Sequence, residues 1–359
     1  MGHRFLYENL ITEETMFSVS SLRAGIITNA IKEGTGSAEL NPSGNYTGAI
    51  DKEYIVEIDS IAGGAEVGQS TFKWSDGSGG WNATGVATSA GNISLGSGAY
   101  INFSSGAGAD FVVGDKWYFR GINLFNAGKM IDNNRDSRYR SAALGAPNTI
   151  AVFLDADAEV KALAIYGHNF SSAATILLEG DSAPTYDSDG GNAEFSEAVT
   201  WTTGKILHYL SSAQIYQYWR LSVTDAANPD EYIEVGELFL GSYLALTRNY
   251  SNGWTESINT LKNTQVTQYG IERDRFYNFQ RTWELDFDAI SPADVTNIKT
   301  LLAALGSRSL GTFRPFYFNF DSATPCDFWL VKADKLPISH ITTSWYKTGL
   351  TLREVVESV

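Results

Sequence analysis

Short runs of β-branched and aromatic residues, each ended by a turn rich in glycine, aspartate or asparagine, constrain the fold of this chain more than any other feature. The segment 54–58 (YIVEI) alternates before a glycine pair, and the segment 71–74 (TFKW) runs into a turn containing DGSGG. This pattern predicts many short strands joined by tight turns. The 359 residues include 34 glycines, only 8 prolines and 43% hydrophobic side chains, so we expect a folded chain dominated by β-strands.

Net charge and cysteine content exclude several classes of function. With 41 acidic and 26 basic residues the chain has a net charge of -15, and it lacks the cationic balance that binding to nucleic acid requires. The single cysteine, Cys326, excludes an intramolecular disulfide and a metal site built from several cysteines. No run approaches the ~18 apolar residues of a membrane-spanning helix, and the first residues lack the apolar stretch of a secretion signal. We expect neither a nucleic-acid partner nor a membrane span.

Changes in residue composition and in the pattern of apolar residues divide the chain into four segments. Residues 46–119 consist of short strand-like runs between glycine turns, which predicts a small β-sandwich. Residues 120–243 and residues 244–359 form two further domains. Residues 1–45 contain runs that suit the opening strands of the 120–243 domain, so we expect the sandwich to be inserted into that domain. Such an insertion costs little because it only lengthens a surface loop.

The last segment contains the clearest helical signal. Trp283, Leu285 and Phe287 alternate with charged residues, which is typical of a half-buried strand. The sequence SPAD at 291–294 supplies an N-cap serine, a first-turn proline and a capping-box acid, and apolar residues then recur at helical spacing. We predict one helix over 292–305. The expected fold class is therefore mainly β, with jelly-roll and β-sandwich domains plus a C-terminal β domain that carries one amphipathic α-helix.

Residues 120–243 resemble the discoidin, or galactose-binding-like, jelly roll. Four segments carry the likeness, in the order typical of that family. They are NAGKMIDNN with SRYRS at 126–141, a strand ending in HN at 160–169, YWRLSV at 218–223 and IEVGELFLG at 233–241. The chain departs from the family at Tyr139, where a tryptophan is usual, and at Asn133, where a glycine is usual.

Two other segments resemble proteins of bacteriophage tails. Residues 46–119 look like a small β-module of tail and baseplate proteins, and residues 244–359 look like the C-terminal domain of distal-tail and tube-related proteins. Together these resemblances imply a structural component of a tail tip or baseplate, made in the host cytoplasm and located in the virion. Its expected partners are other tail or baseplate subunits and further copies of itself in a ring, with the β domains displayed outward.

Carbohydrate binding by the jelly roll is the first alternative function. Sugars are held by aromatic rings that stack on the sugar ring and by arginine, asparagine and aspartate side chains that bind its hydroxyls. Loops at one end of the jelly roll could supply such a set for a host-surface glycan. The candidates are Arg138, Tyr139, Arg140, His168 and Trp201.

The sequence lacks the spacings typical of catalytic sites. It contains no zinc-type histidine pair, no nucleophile elbow and no phosphate-binding loop. Acids at spacing two, such as Asp286 and Asp288, lie on one face of a strand, which is usually the solvated face. We predict no enzymatic activity. Hydrolysis of a host polysaccharide stays open as a second alternative, because it needs only two facing carboxylates.

Calcium is the one cofactor for which the chain offers donors. Calcium takes hard oxygen ligands, and many jelly rolls hold a structural ion. The chain has no diagnostic calcium loop, so the expected cofactor is none, with calcium as the alternative. The candidate ligands are Asp132, Asp181, Asp187 and Asp189.

Overall fold

The computed structural model confirms the predicted fold class, since it is mainly β and contains one α-helix. It describes the chain except for a set of short segments and a few side chains. The segments are residues 1, 14–15, 49, 135, 146, 185–192, 252, 267–268, 270–271, 307–313, 336–337, 343–344 and 357–359, and the side chains are those of residues 263, 273, 277, 334–335 and 340–342.

Two short strands precede a β-sandwich. The first two strands are β1 (Arg4–Asn9) and β2 (Phe17–Val19). The sandwich strands are β3 (Ile26–Ile27), β4 (Ile31–Glu33), β5 (Glu39–Ser43), β6 (Lys52–Ser60), β7 (Thr71–Ser75), β8 (Ala83–Ala87), β9 (Ile93–Gly96), β10 (Ala99–Ser104) and β11 (Lys116–Ile122). They form a six-stranded sheet in the order β3-β11-β6-β7-β8, with β4 also on β11, and a three-stranded sheet β5-β10-β9. Phe103, Phe111 and Trp117 pack edge to face in the shared core.

The sandwich begins earlier along the chain than its expected start at residue 46. Ile26 and Ile27 pair with the end of β11, and Ile31 pairs with Tyr118. The strands β3, β4 and β5 thus belong to the sandwich and not to the jelly roll. The strand β11 pairs with β6 along one edge, and β3 and β4 occupy its other edge.

The jelly roll follows the sandwich and also uses β2. Its own strands are β12 (Tyr139–Arg140), β13 (Asn148–His168), β14 (Thr175–Asp181), β15 (Phe195–Ala198), β16 (Lys205–Thr224) and β17 (Glu234–Leu244). The first part of β13 lies between β2 and β16, and its second part lies between β17 and β16. Ile150 from the first part and Ile165 from the second part meet in one core. The long strands therefore fold over into two packed layers.

The C-terminal domain consists of a sheet with one helix against it. Its elements are β18 (Thr255–Val266), β19 (Glu272–Ile290), α1 (Pro292–Leu305), β20 (Phe316–Asn319), β21 (Phe328–Lys335), β22 (Ile338–Thr342) and β23 (Trp345–Glu354). The α1 helix begins with a capping box, in which Asp294 N donates to Ser291 Oγ at 3.1 Å and Ser291 N donates to the Asp294 carboxylate at 3.4 Å. Within the described residues no helix is long and apolar enough to cross a membrane.

Strand β1 joins the jelly roll to the C-terminal domain. It pairs with β17 on one side and with β20 on the other, so one sheet of 14 strands runs through both domains. Leu6 of β1 lies in a core that also contains Phe239 of the jelly roll and Phe328 of the C-terminal domain. The Asn9 side chain donates to Leu238 O at 2.9 Å and accepts from Leu240 N at 3.1 Å. The two domains are therefore held in a fixed arrangement.

Replacing Leu6 with alanine should destabilise both domains together. The side chain is fully buried, so Leu6→Ala should lower the free energy of unfolding by about 2–5 kcal/mol through lost contacts and a cavity. Urea unfolding followed by tryptophan fluorescence measures this change. The matched control is Leu124→Ala, since Leu124 is 65% exposed and should change the value by less than about 0.5 kcal/mol. Equal effects of the two substitutions would contradict the role of β1 in joining the two domains.

Candidate functional site

The five predicted sugar-binding residues lie near one end of the jelly roll, but Tyr139 cannot contact a ligand. It is fully buried, and its hydroxyl donates a hydrogen bond to Ser21 O. The pairing of Tyr139 with Val235 in β17 turns the ring into the core. The expectation that this ring stacks on a sugar is therefore wrong, and Tyr139 is a core residue.

Arg138 and Arg140 meet at one carboxylate. The guanidinium of Arg140 lies between the rings of Phe125 and Tyr232, 4.4 Å from each centroid, and its Nη2 is 2.6 Å from Glu234 Oε2. Arg138 Nε lies 3.4 Å from the other oxygen of Glu234. Stacking on two rings and a charge-assisted bond fix the position of Arg140. Arg140 is thus a structural residue, and Arg138 shares its carboxylate partner while also donating to Ser137 O at 3.1 Å.

The side chains of His168 and Trp201 both form hydrogen bonds with the Phe170 backbone, just beyond the end of β13. His168 Nε2 is 2.9 Å from Thr202 O, and its Nδ1 accepts from Phe170 N at 3.1 Å. Burial lowers the pKa of His168 to about 4, so the ring is neutral at physiological pH. Trp201 Nε1 donates to Phe170 O at 2.9 Å. Both polar edges are bonded within the chain, and Trp201 has only part of its ring surface exposed to a ligand.

Arg138 lines a pocket of about 290 Å³ between the jelly roll and the C-terminal domain. The remaining lining comes from both domains, and it combines carboxylate, amide and aromatic groups. These residues are Asp136, Tyr166, Asn278, Phe279, Glu354 and Val356. Phe279 is 57% exposed, so much of its side chain is accessible to a ligand. Glu354 Oε2 accepts from Arg281 N at 3.3 Å, which fixes this carboxylate at the pocket wall.

Most of these pocket residues could not have been found from sequence patterns. Asn278 and Phe279 lie far along the chain from Arg138, and the continuous sheet brings them to the jelly roll. Glu234 and Glu237, by contrast, stand in the closing strand among apolar residues. A carboxylate in a buried strand needs a hydrogen-bond or charge partner. The position of these two acids in the closing strand was therefore a sequence signal that polar partners lie nearby.

The turn at Asp132 and the buried Glu237 bring together several oxygen atoms of the kind that bind metal ions. Ser137 Oγ lies 2.8 Å from both carboxylate oxygens of Asp132 and 2.9 Å from Asn134 O. Burial raises the pKa of Glu237 to about 8, and the nearby Asp132 carboxylate adds to this shift. Glu237 Oε1 is buried and has no hydrogen-bond partner among the described residues. A lone buried carboxylate oxygen is costly unless a cation or donor satisfies it.

The chemical types of these oxygen atoms match the ligands of a calcium ion. Two carboxylates, a hydroxyl and a backbone carbonyl are ligands that calcium prefers. The ion would neutralise Glu237 and add to the charge of Lys129 Nζ, which lies 3.6 Å from Asp132 Oδ2. A cleft of about 740 Å³, lined by Asn133 and Glu237, lies beside this group.

The other calcium candidates do not join this group. Asp181 is buried at the end of β14, where its Oδ1 accepts from Ala183 N at 3.0 Å. Asp187 and Asp189 lie outside the described residues. In the part of the chain that the structure describes, no three histidine, cysteine, aspartate or glutamate side chains gather around one point. Any calcium site near Asp132 must therefore take some of its ligands from hydroxyl and carbonyl oxygens.

Calcium should raise the thermal unfolding midpoint of the full chain, and the increase should be larger at alkaline pH. Because the pKa of Glu237 is raised, its contribution to stability is complete below pH 4.5 and is lost as the pH rises through about 8. Calcium binds the carboxylate form and so opposes this loss. Thermal melts with calcium or with a chelator, recorded across this pH window, measure the effect.

The variant Glu237→Gln should lose both the pH dependence and the calcium response. Glu53→Gln changes an exposed glutamate of the sandwich and should keep both. A calcium response that persists unchanged in Glu237→Gln would exclude this group as the calcium site.

Comparison with known proteins finds similarity in solved structures alone. No family model matches the chain, and no curated protein matches it. Chitosan-binding module 1 of a chitosanase/glucanase from Paenibacillus sp. IK-5 is 21% identical over 34% of this chain and 88% of its own, with a TM-score of 0.27. The CBM32-6 module of GH89 from Clostridium perfringens is 15% identical over 33% of this chain and 86% of its own, with a TM-score of 0.25.

A third structure spans a larger part of the chain. The CBM32-1 and CBM32-2 domains of ZmpB from Clostridium perfringens, in complex with GalNAc, are 8% identical over 66% of this chain and 92% of their own, with a TM-score of 0.24. TM-scores this low do not establish a shared overall fold. The fold assignment rests on the strand order and cores of the chain itself.

Proposed function

We propose that this chain is a non-catalytic carbohydrate-binding protein whose sugar site is the pocket between the jelly roll and the C-terminal domain. The observation that carries the proposal is the convergence of Arg138, Asp136, Asn278 and the open ring of Phe279 in one pocket of about 290 Å³. Charged and amide groups bind sugar hydroxyls, and an aromatic face packs on the apolar face of a sugar ring.

The size and composition of the pocket limit the ligand. A volume of about 290 Å³ is at the lower end for small-molecule sites, which favours one or two sugar rings. The carboxylates of Asp136 and Glu354 outnumber the single guanidinium of Arg138. A neutral or amino sugar therefore suits the pocket better than an acidic sugar, because a carboxylate on the ligand would face two others.

Removing the aromatic ring should weaken sugar binding. Phe279→Ala should raise the dissociation constant by about tenfold, the effect of losing roughly 1.4 kcal/mol of stacking. A glycan array with the full chain identifies the sugar, and calorimetry with that sugar measures the change. Trp81→Ala removes an exposed ring of the sandwich and should leave binding unaltered. An array with no bound sugar, or equal affinity in Phe279→Ala and wild type, would refute the site.

The non-catalytic assignment has its own test, since Asp136 and Glu354 are two acids in one pocket, as glycoside hydrolysis requires. Wild-type chain incubated with its bound glycan should release no new reducing ends. Release that disappears in Asp136→Asn would make the chain a hydrolase instead.

Membership of a phage tail tip or baseplate is a second proposal, with a different kind of support. It draws on the resemblance of residues 244–359 to distal-tail proteins and on the continuous sheet, which would display the jelly roll at a fixed angle from an assembled C-terminal domain. Mass spectrometry of purified phage particles, with antibody labelling by electron microscopy, tests it. Absence of the chain from particles would leave the carbohydrate-binding role without the virion context.

A further inference from the structure

The strand β18 leaves one edge of the 14-stranded sheet open. It is the last strand in the sheet order, and it pairs with β19 on its inner side only, as far as the described residues show. It spans Thr255–Val266 without a proline, and nearly all its described side chains are exposed. Edge strands are usually blunted by proline, irregularity, short length or charged side chains, because an open edge offers its backbone groups to another strand. Of these devices β18 has two charged side chains, Glu256 and Lys262.

The β18–β19 hairpin also carries an uncovered apolar face. Ile258 is 62% exposed, and the rings of Phe276 and Phe279 lie 5.0 Å apart and are 53% and 57% exposed. Further along β19, Trp283 is buried in the core of the domain, so the hairpin is anchored at its base. A two-stranded hairpin exposed on both faces has little stability of its own in water. The exposed part of the hairpin is therefore expected to gain stability from an additional strand.

We propose that β18 pairs antiparallel with β18 of a second copy of this chain, about a two-fold axis at Asn259. In this register Glu256 of each copy lies opposite Lys262 of the other, and Ile258 lies opposite Thr260. The pairing thus creates two opposite-charge pairs and places no like charges opposite each other. A single two-fold interface of this kind produces a closed dimer.

Charge distribution favours a second copy at this edge. The chain as a whole carries -15, so two copies repel each other over most of their surface. Residues 255–281 contain 4 basic and 3 acidic side chains, a net charge of +1, which leaves -16 on the remainder. Approach through the hairpins therefore avoids bringing strongly acidic parts of the two copies together. This inference does not require sugar binding, because the pairing uses the outer backbone edge of β18, although the hairpin shares Asn278 and Phe279 with the pocket.

A charge-swap series tests the pairing. Lys262→Glu would place two carboxylates opposite each other at both pairs and should weaken self-association of the full chain by about tenfold in sedimentation equilibrium. Glu256→Lys should do the same, since it would place two ammonium groups opposite each other, and the double variant Glu256→Lys/Lys262→Glu should restore association. Within one chain Glu256 pairs with Arg281 and Lys262 pairs with Asp274, so restoration in the double variant cannot come from intrachain pairs.

Cysteine cross-linking tests the register. In a Cys326→Ser background, Asn259→Cys should form a disulfide-linked dimer under mild oxidation, because Asn259 faces its own counterpart. Thr255→Cys should not, because it faces residue 263. Ile258→Lys should weaken association, since it approaches Lys262 of the partner copy, whereas Ile215→Lys, 61% exposed on β16, should not.

Three results would overturn the proposal. They are a chain that stays monomeric at its highest attainable concentration, association that the double charge swap fails to restore, and cross-linking that is equal at residues 255 and 259. Association that resists the charge swaps would point to another surface or to a head-to-tail ring.

Discussion

The pairing of β1 on both of its edges is the interaction on which the rest of the structure depends. Six residues near the start of the chain complete the sheet of the jelly roll and begin the sheet of the C-terminal domain. The strand forms backbone hydrogen bonds on both of its edges, and its Leu6 side chain is buried between the two domains. Segments that are far apart in sequence are therefore joined into one rigid unit. Without this strand, the pocket lined by Arg138 and Phe279 would have no fixed shape.

Local patterns in the sequence predicted local structure well. The capping sequence at Ser291 and the apolar spacing that follows it indicated the helix, because the signals for starting a helix lie within a few residues. The glycine-punctuated runs indicated a mainly β chain for the same reason. Sheet neighbours were harder, since β3 and β4 pair with β11, far later in the chain, and nothing in a short strand specifies its distant partner.

The candidate site shows the same division between local and distant information. Residue type suggested Arg138, Tyr139 and Arg140 as ligand-binding groups, yet only the tertiary structure distinguishes their roles. Tyr139 faces the core, and Arg140 is held by Glu234 and two rings. The burial of each side chain and the number of its intrachain contacts decide how far an arginine or a tyrosine is available to a ligand, and neither property can be read from a motif.

The way in which the sandwich joins the jelly roll makes the two parts separable. The chain enters the sandwich after Arg23 and leaves it at Asn123, and the Asn123 side chain donates to Arg23 O at 2.8 Å, so the two crossing points are adjacent. A module attached through neighbouring points can be lengthened, exchanged or lost while the surrounding frame keeps its strand order. The strand order of the jelly roll and the C-terminal domain therefore does not depend on the length of the sandwich inserted between Arg23 and Asn123.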